Sequence, residues 1–292
     1  MIQGSIVAIV TPMSPNGDID YDAFDRLIEW HVANGTDALV VAGTTGESPT
    51  LSEQEHCELM RHCVDKVAGR MPVIAGTGSN STREAIYFTR AAREYGADAC
   101  LLVAPYYNKP SQEGLFQHFK KVTEEVDIKQ ILYNVPSRTG CDLLPATVSR
   151  LADLDNIVGI KEASGDMARC RELLRLCDGR ISIYGGDDAT ARELLLAGGH
   201  GNISVTANLL PKQMHRMCRL AMQGDAEGAL EVDAPLAALH DKLFVEGNPV
   251  PVKWVMAQLG LIQPGIRLPL VDLSPGFHDV LRAAMRQAGL IQ

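Results

Sequence analysis

The feature that most narrows the fold is an alternation. Eight short apolar runs rich in strand-forming residues, Ser5–Val10, Ala38–Ala42, Val73–Ala75, Ala99–Val103, Gln130–Tyr133, Ile157–Ile160, Ile181–Tyr184 and Gly201–Val205, are separated by amphipathic segments. Continuous apolar runs are what strands buried on both faces look like, and a helix between each pair lets successive strands run parallel. From Tyr21 to Ala33 the apolar residues Phe24, Leu27, Ile28 and Trp30 to Val32 recur at roughly helical spacing and predict one face packed on the sheet. Ser52 with Glu55, and Ser81 with Glu84, have the spacing of a reciprocal helix N-terminal cap. Eight such units predict an α/β chain closed into a (β/α)8 TIM barrel, the domain of residues 1–223. Residues 224–292, largely helical in pattern and interrupted by Asn248-Pro249-Val250-Pro251, read as a C-terminal helical extension. An open doubly wound sheet is the alternative, but Val10-Thr11-Pro12 follows the first run where a nucleotide-binding sheet carries its glycine fingerprint.

Charge and cysteine usage then exclude several partners. The chain of 292 residues has 27 Lys and Arg against 36 Asp and Glu, a formal net charge of −9, so its overall field repels nucleic acid and anionic lipid. No segment reaches the ~18 consecutive apolar residues of a membrane span. Seven cysteines without a CxxC pair read as reduced thiols, and Met1 to Ser5 lack the basic start of a secretion signal, so a cytoplasmic location is expected. Asp187-Asp188 and the eight histidines show no metal-ligand spacing, and Gly76-Thr77-Gly78-Ser79-Asn80-Ser81 lacks the lysine of a phosphate loop, so no metal and no cofactor are expected. That glycine-rich stretch is read as shaping the barrel mouth.

In such barrels the chemistry sits where strands end at the C-terminal face. The polar residues following the runs are Thr44 and Thr45, Tyr106 and Tyr107, Tyr133 and Arg138, Lys161, and Gly186. Lys161 closes Val158-Gly159-Ile160-Lys161, among apolar neighbours. Desolvation there favours a neutral amine able to attack a ketone. The competing reading is a lysine paired with Glu162 or reaching solvent. Tyr133 is placed to relay protons, although a lone strand tyrosine is more often a packed aromatic. Gly43-Thr44-Thr45-Gly46-Glu47 offers hydroxyls and backbone amides to a carboxylate, and equally suits a plain tight turn. Arg138 can clamp a second carboxylate.

Together these segments resemble the dihydrodipicolinate synthase family, over essentially the whole chain. The resemblance is carried by Gly43-Thr44-Thr45-Gly46-Glu47, Ala104-Pro105-Tyr106-Tyr107-Asn108-Lys109-Pro110, Tyr133-Asn134-Val135-Pro136-Ser137-Arg138-Thr139-Gly140, Gly159-Ile160-Lys161-Glu162-Ala163-Ser164-Gly165-Asp166 and Asn248-Pro249-Val250-Pro251-Val252-Lys253. It implies an imine between Lys161 and pyruvate, whose enamine attacks L-aspartate 4-semialdehyde before cyclisation, in lysine and diaminopimelate synthesis. It implies a proton relay of Tyr133, Thr44 and Tyr107, with Tyr107 reaching a neighbouring subunit's site. Thr45 would hold the pyruvate carboxylate and Arg138 that of the semialdehyde, with carbonyls of Gly186 and Ile203 lining the site. A homo-oligomer is implied, a tetramer built as a dimer of dimers. Ser48, His56, Asn80, Glu84 and Tyr106 match an effector site for L-lysine. Glu53 and Pro49 depart from the pattern of sensitive relatives, so weak lysine inhibition is expected.

Two other readings compete. A sister pyruvate aldolase acting on N-acetylneuraminate or a keto-deoxy sugar acid would share Lys161 and Tyr133, but Arg138 suits a carboxylated aldehyde better than a hydroxyl-rich tail. A non-catalytic barrel that binds a keto acid is the other, since one fold hosts many functions.

Overall fold

Eight parallel strands close on themselves in sequence order: β1 (Gly4–Ala8), β2 (Ala38–Val41), β3 (Val73–Gly76), β4 (Ala99–Val103), β5 (Gln130–Asn134), β6 (Ile157–Glu162), β7 (Ser182–Gly185) and β8 (Gly201–Ser204), with β8 pairing back to β1. The molecule is seen here as a computed structural model that describes residues 2–292. The predicted (β/α)8 barrel is therefore the fold, and each apolar run carries one strand.

Alternation along the strands divides the interior in two. Ile6, Ala8, Val40, Ile74, Leu101, Ile131, Tyr133, Tyr184 and Ile203 fill the barrel, while Val7, Leu39, Cys100, Leu132 and Ile160 join the larger layer between strands and helices. Each large apolar side chain fully buried in these layers contributes ~1.5–3 kcal/mol. Below the mouth, Tyr184 lies across the barrel and donates its hydroxyl to the Ile2 carbonyl at 2.7 Å. Its ring needs a gap in the neighbouring strand. A Cβ on Gly159 would stand 2.6 Å from Tyr184 Cε2, which is why β6 carries glycine there.

Two of the boundaries that differ from the sequence expectation do so for identifiable reasons. The first strand stops at Ala8 rather than Val10 because Asn208 takes over its pairing, donating to the Ala8 carbonyl at 2.8 Å and accepting from the Val10 amide at 3.0 Å. The sixth runs on to Glu162, so Lys161 lies inside a strand with its position fixed by register, paired with Tyr133 on β5 and Tyr184 on β7.

The helix Tyr21–Ala33 forms as predicted, started by Asp20, whose carboxylate accepts the Ala23 amide at 2.8 Å. Ser52 and Glu55 form both halves of a capping box. Ser81 and Glu84 form only one: the Ser81 hydroxyl accepts the Glu84 amide, but the Glu84 carboxylate turns to the hydroxyl of Ser79.

Past β8 come the helices Pro211–Met222 and Ala226–Asp233, and further on Val250–Gln258 and His278–Gln287. Val252, Val255, Met256, Leu281 and Met285 belong to the same apolar cluster as the barrel wall. The extension also reaches the mouth, where Lys253 and Glu47 form a buried ion pair. No helix among the described residues is long and apolar enough to cross a membrane.

Candidate active site

A cavity of about 360 Å³ opens at the C-terminal ends of the strands, and Thr44, Thr45, Tyr133, Arg138, Lys161 and Gly186 all line it. Lys161 is only 6% exposed. Its ammonium sits 4.4 Å from the centroid of the Tyr133 ring, an arrangement worth ~0.5–2 kcal/mol to a cation. Gly186 makes room for it, since a Cβ there would fall 2.9 Å from Lys161 Cε and 2.5 Å from Ala163 Cβ.

The competing pairing of Lys161 with Glu162 does not occur. Adjacent residues of a strand face opposite ways. Glu162 therefore points to the outer layer, where it accepts from Asn134 Nδ2 at 3.1 Å and the Ser164 amide at 2.9 Å, with Arg169 at 3.9 Å. Burial pushes the Glu162 carboxyl above its usual range, while the bonds from Asn134 and Ser164 and the Arg169 charge pull it down. Lys161 is left facing the cavity without a carboxylate bonded to it.

The turn after β2 is more than a tight connection. Glu47 holds a left-handed φ of 58°, and the Gly46 carbonyl accepts the Thr11 hydroxyl at 2.7 Å. Thr45 is 3% exposed and its Oγ1 accepts Asn248 Nδ2 at 2.9 Å. Asn248 also presents its backbone carbonyl to Arg138 Nη2 at 3.4 Å, and its own Oδ1 is buried without a partner. Burial pulls the Lys253 ammonium below the usual lysine range, and the Glu47 carboxylate draws it back up. Sequence reasoning missed Asn248 as a site residue because it read the Asn-Pro-Val-Pro stretch only as a break between helices. The available signal was its presence in a motif that carried the family resemblance.

Other predicted residues lie elsewhere. Tyr107 is 89% exposed with φ 74°, and it does not line the cavity of its own chain. Ile203 is fully buried on β8 among the residues filling the barrel. A second cavity, of about 410 Å³, gathers Ser48, His56, Glu84 and Tyr106 together with Pro49 and Glu53. Asn80 does not line it, and its carbonyl instead accepts Asn108 Nδ2 at 2.9 Å. His56 is occupied structurally, with Nε2 2.7 Å from the Gly76 carbonyl and its ring stacked 4.3 Å from Phe88. Burial holds it below the usual histidine range, against the pull of that carbonyl and of Glu84. Thr44, Ser48, Gly78, Val103, Val135 and Arg138 line both cavities. Among the described residues no group of three His, Cys, Asp or Glu is placed to hold a metal ion.

A buried amine facing a small polar cavity from within a barrel strand defines a class, the barrels that can take a carbonyl carbon on lysine. The chain belongs to the dihydrodipicolinate synthetase family, whose model matches residues 1–288. It is 57% identical over 292 residues to the 4-hydroxy-tetrahydrodipicolinate synthase of Nitrosococcus oceani, covering 100% of both chains. Among solved structures it is similar to the chloride-inhibited dihydrodipicolinate synthase of Acinetobacter baumannii complexed with pyruvate, at 52% identity, TM-score 0.99 and 100% coverage of both chains. It is also similar to the DHDPS of Cyanidioschyzon merolae with lysine bound, at 39% identity and TM-score 0.96, covering 99% of each chain.

Proposed function

We propose that the protein is a lyase that condenses pyruvate with L-aspartate 4-semialdehyde to give 4-hydroxy-tetrahydrodipicolinate, the committed step toward lysine and diaminopimelate. The observation that carries this reading is Lys161, buried at the barrel mouth and facing a cavity sized for two small acids. Its amine attacks the pyruvate ketone, and loss of water leaves an imine whose enamine supplies the carbon nucleophile.

The surrounding residues are assigned by their reach into that cavity. Tyr133, alongside Lys161, moves protons during imine and enamine formation with Thr44. Tyr107 completes the relay from a neighbouring copy, a role its exposure on the isolated chain suits. Thr45, held by Asn248, binds the pyruvate carboxylate, and Arg138 the carboxylate of the semialdehyde. The carbonyl of Gly186 is assigned to the cavity wall, and that of Ile203, whose side chain fills the barrel, to the edge of the site. The assembly we assign is a tetramer, a dimer of dimers, working in the cytoplasm, where the seven free cysteines stay reduced.

The second cavity is assigned to L-lysine, which binds a relative of this chain. Pro49 and Glu53 on its wall depart from the pattern of lysine-sensitive relatives, so inhibition is expected to be weak. Strong inhibition at sub-millimolar lysine would refute that expectation of weakness. The primary test is incubation with pyruvate and borohydride followed by peptide mass analysis, together with turnover of L-aspartate 4-semialdehyde. An adduct on Lys161 with turnover supports the reading; an adduct without turnover points to a sister aldolase; no adduct removes the imine mechanism.

A further inference from the structure

Two adjacent acids follow β7, and the structure treats them differently. Asp188 is fully engaged: Oδ1 accepts Asn202 Nδ2 at 2.7 Å, and Oδ2 accepts the amides of Val205 at 3.0 Å and Thr206 at 2.8 Å. Asp187 stands at the N-cap position of the helix Asp188–Leu196, where an aspartate ordinarily accepts a helix amide, yet its side chain caps nothing. It lines the reaction cavity instead, and its Oδ2 is buried with no hydrogen-bond partner.

An acceptor left buried and unpaired is costly, and more so when it is charged. Such an acceptor facing a binding cavity is explained by a donor that arrives with the ligand. Two carboxylates line this cavity. Glu246 accepts the Ser274 amide at 3.3 Å; the Asp187 carboxylate takes the Gly165 amide, keeps Oδ2 unpartnered, and feels the charge of Lys161.

The geometry points to Asp187 as the residue that receives the α-ammonium group of the aldehyde substrate and takes its proton so that the amine can close the ring. This rests on the condensation proposed above and deepens it. After carbon–carbon bond formation, the chain on Lys161 is again an imine, protonated on Nζ, and still carries the ammonium. One proton passes from that ammonium to the Asp187 carboxylate. The freed nitrogen lone pair then forms a bond to the imine carbon, and the C=N electron pair moves onto Lys161 Nζ. A second proton moves from the ring nitrogen to Nζ. The carbon–Nζ bond breaks with its electron pair leaving on the lysine, and the ring nitrogen's lone pair completes a cyclic C=N. The last ammonium proton goes to water. The amine must reach the carbon bonded to Nζ, so its proton acceptor has to lie beside Lys161, where Asp187 is. Burial pushes the Asp187 carboxyl above the usual carboxylate range, opposed by Lys161, reinforced by Asp188 and opposed again by the Gly165 amide, and a raised carboxyl is a better proton acceptor.

The experiment compares the unmodified protein with Asp187→Asn, which keeps the shape and removes the charge. With pyruvate alone, borohydride is expected to trap the variant on Lys161 to within about twofold of the unmodified protein, and turnover of L-aspartate 4-semialdehyde to fall roughly 100-fold. With both substrates, the adduct trapped on the variant is expected to carry the mass of pyruvate plus the semialdehyde, because the block follows carbon–carbon bond formation. Turnover within about threefold of the unmodified protein, or a slowed variant whose only adduct is pyruvate, overturns the assignment. If the Asn variant fails to fold, Asp187→Ser takes the same test with the same two outcomes. Failure of the unmodified protein to form the pyruvate adduct or to turn over the semialdehyde would instead remove the underlying reading.

Discussion

The cavity has two halves that are held in place by different physics. On one side, Lys161 and Tyr133 are carried by neighbouring strands, and their separation follows from the register of β5 on β6 and from the alternation of side chains. On the other side, Thr45 stands in a turn and Arg138 in the short helix Pro136–Thr139, and both are tied to Asn248, a residue of the C-terminal extension. The first half is positioned by a continuous hydrogen-bonded sheet, the second by a few polar contacts between residues about 100 or 200 positions apart in sequence. The lesson is that the amine is a property of the barrel, while the side proposed to bind carboxylates is a property of the barrel and its extension together.

Four substitutions break or sharpen that division. The largest effect is expected from Lys161→Ala, which should abolish the borohydride-trapped adduct and lower turnover by roughly 10³-fold or more while leaving the unfolding midpoint close to that of the parent. Next, Lys253→Met leaves Glu47 buried and unpaired beneath the turn that carries Thr45. Breaking a buried pair costs about 3–5 kcal/mol, so denaturant unfolding should show a lower midpoint, with pyruvate binding weakened in parallel. On the strand side, Gly159→Ala drives a methyl into Tyr184, and overpacking of this kind costs roughly 1–3 kcal/mol by thermal unfolding. Its signature should be a loss of kcat as Lys161, two residues on, is displaced, with KM for pyruvate little changed. The smallest effect is Asn248→Ala, which frees Thr45 and should raise KM for pyruvate about tenfold, the ~1.4 kcal/mol scale of one buried hydrogen bond, with a smaller change in kcat. If Asn248→Ala lowered kcat and left KM alone, the extension would not be serving the carboxylate side.

The strand-borne half was legible in the sequence for the same reason that it is well held. Strand periodicity is local, and a lysine at the end of an apolar run announces itself within a handful of residues. The closed barrel and the cavity membership of Lys161, Tyr133, Thr44 and Thr45 followed from such local signals and from their order along the chain. The contacts that escaped join distant segments: Asn248 with Thr45, Glu47 with Lys253, and Tyr184 with Gly159. No periodicity within either partner reports such a contact. Asp187 escaped differently. It was visible in the sequence but judged only as a metal ligand, and its distinction from Asp188 appears only when the bonds of each carboxylate are known.

The wall common to the two cavities bears on how this chain has been free to change. Thr44, Ser48, Gly78, Val103, Val135 and Arg138 face both spaces, so a substitution that detunes the second cavity through them also disturbs the first. Pro49 and Glu53 line the second cavity alone. If the second cavity holds the proposed effector, substitutions at Pro49 and Glu53 would retune it while leaving the first cavity's wall intact.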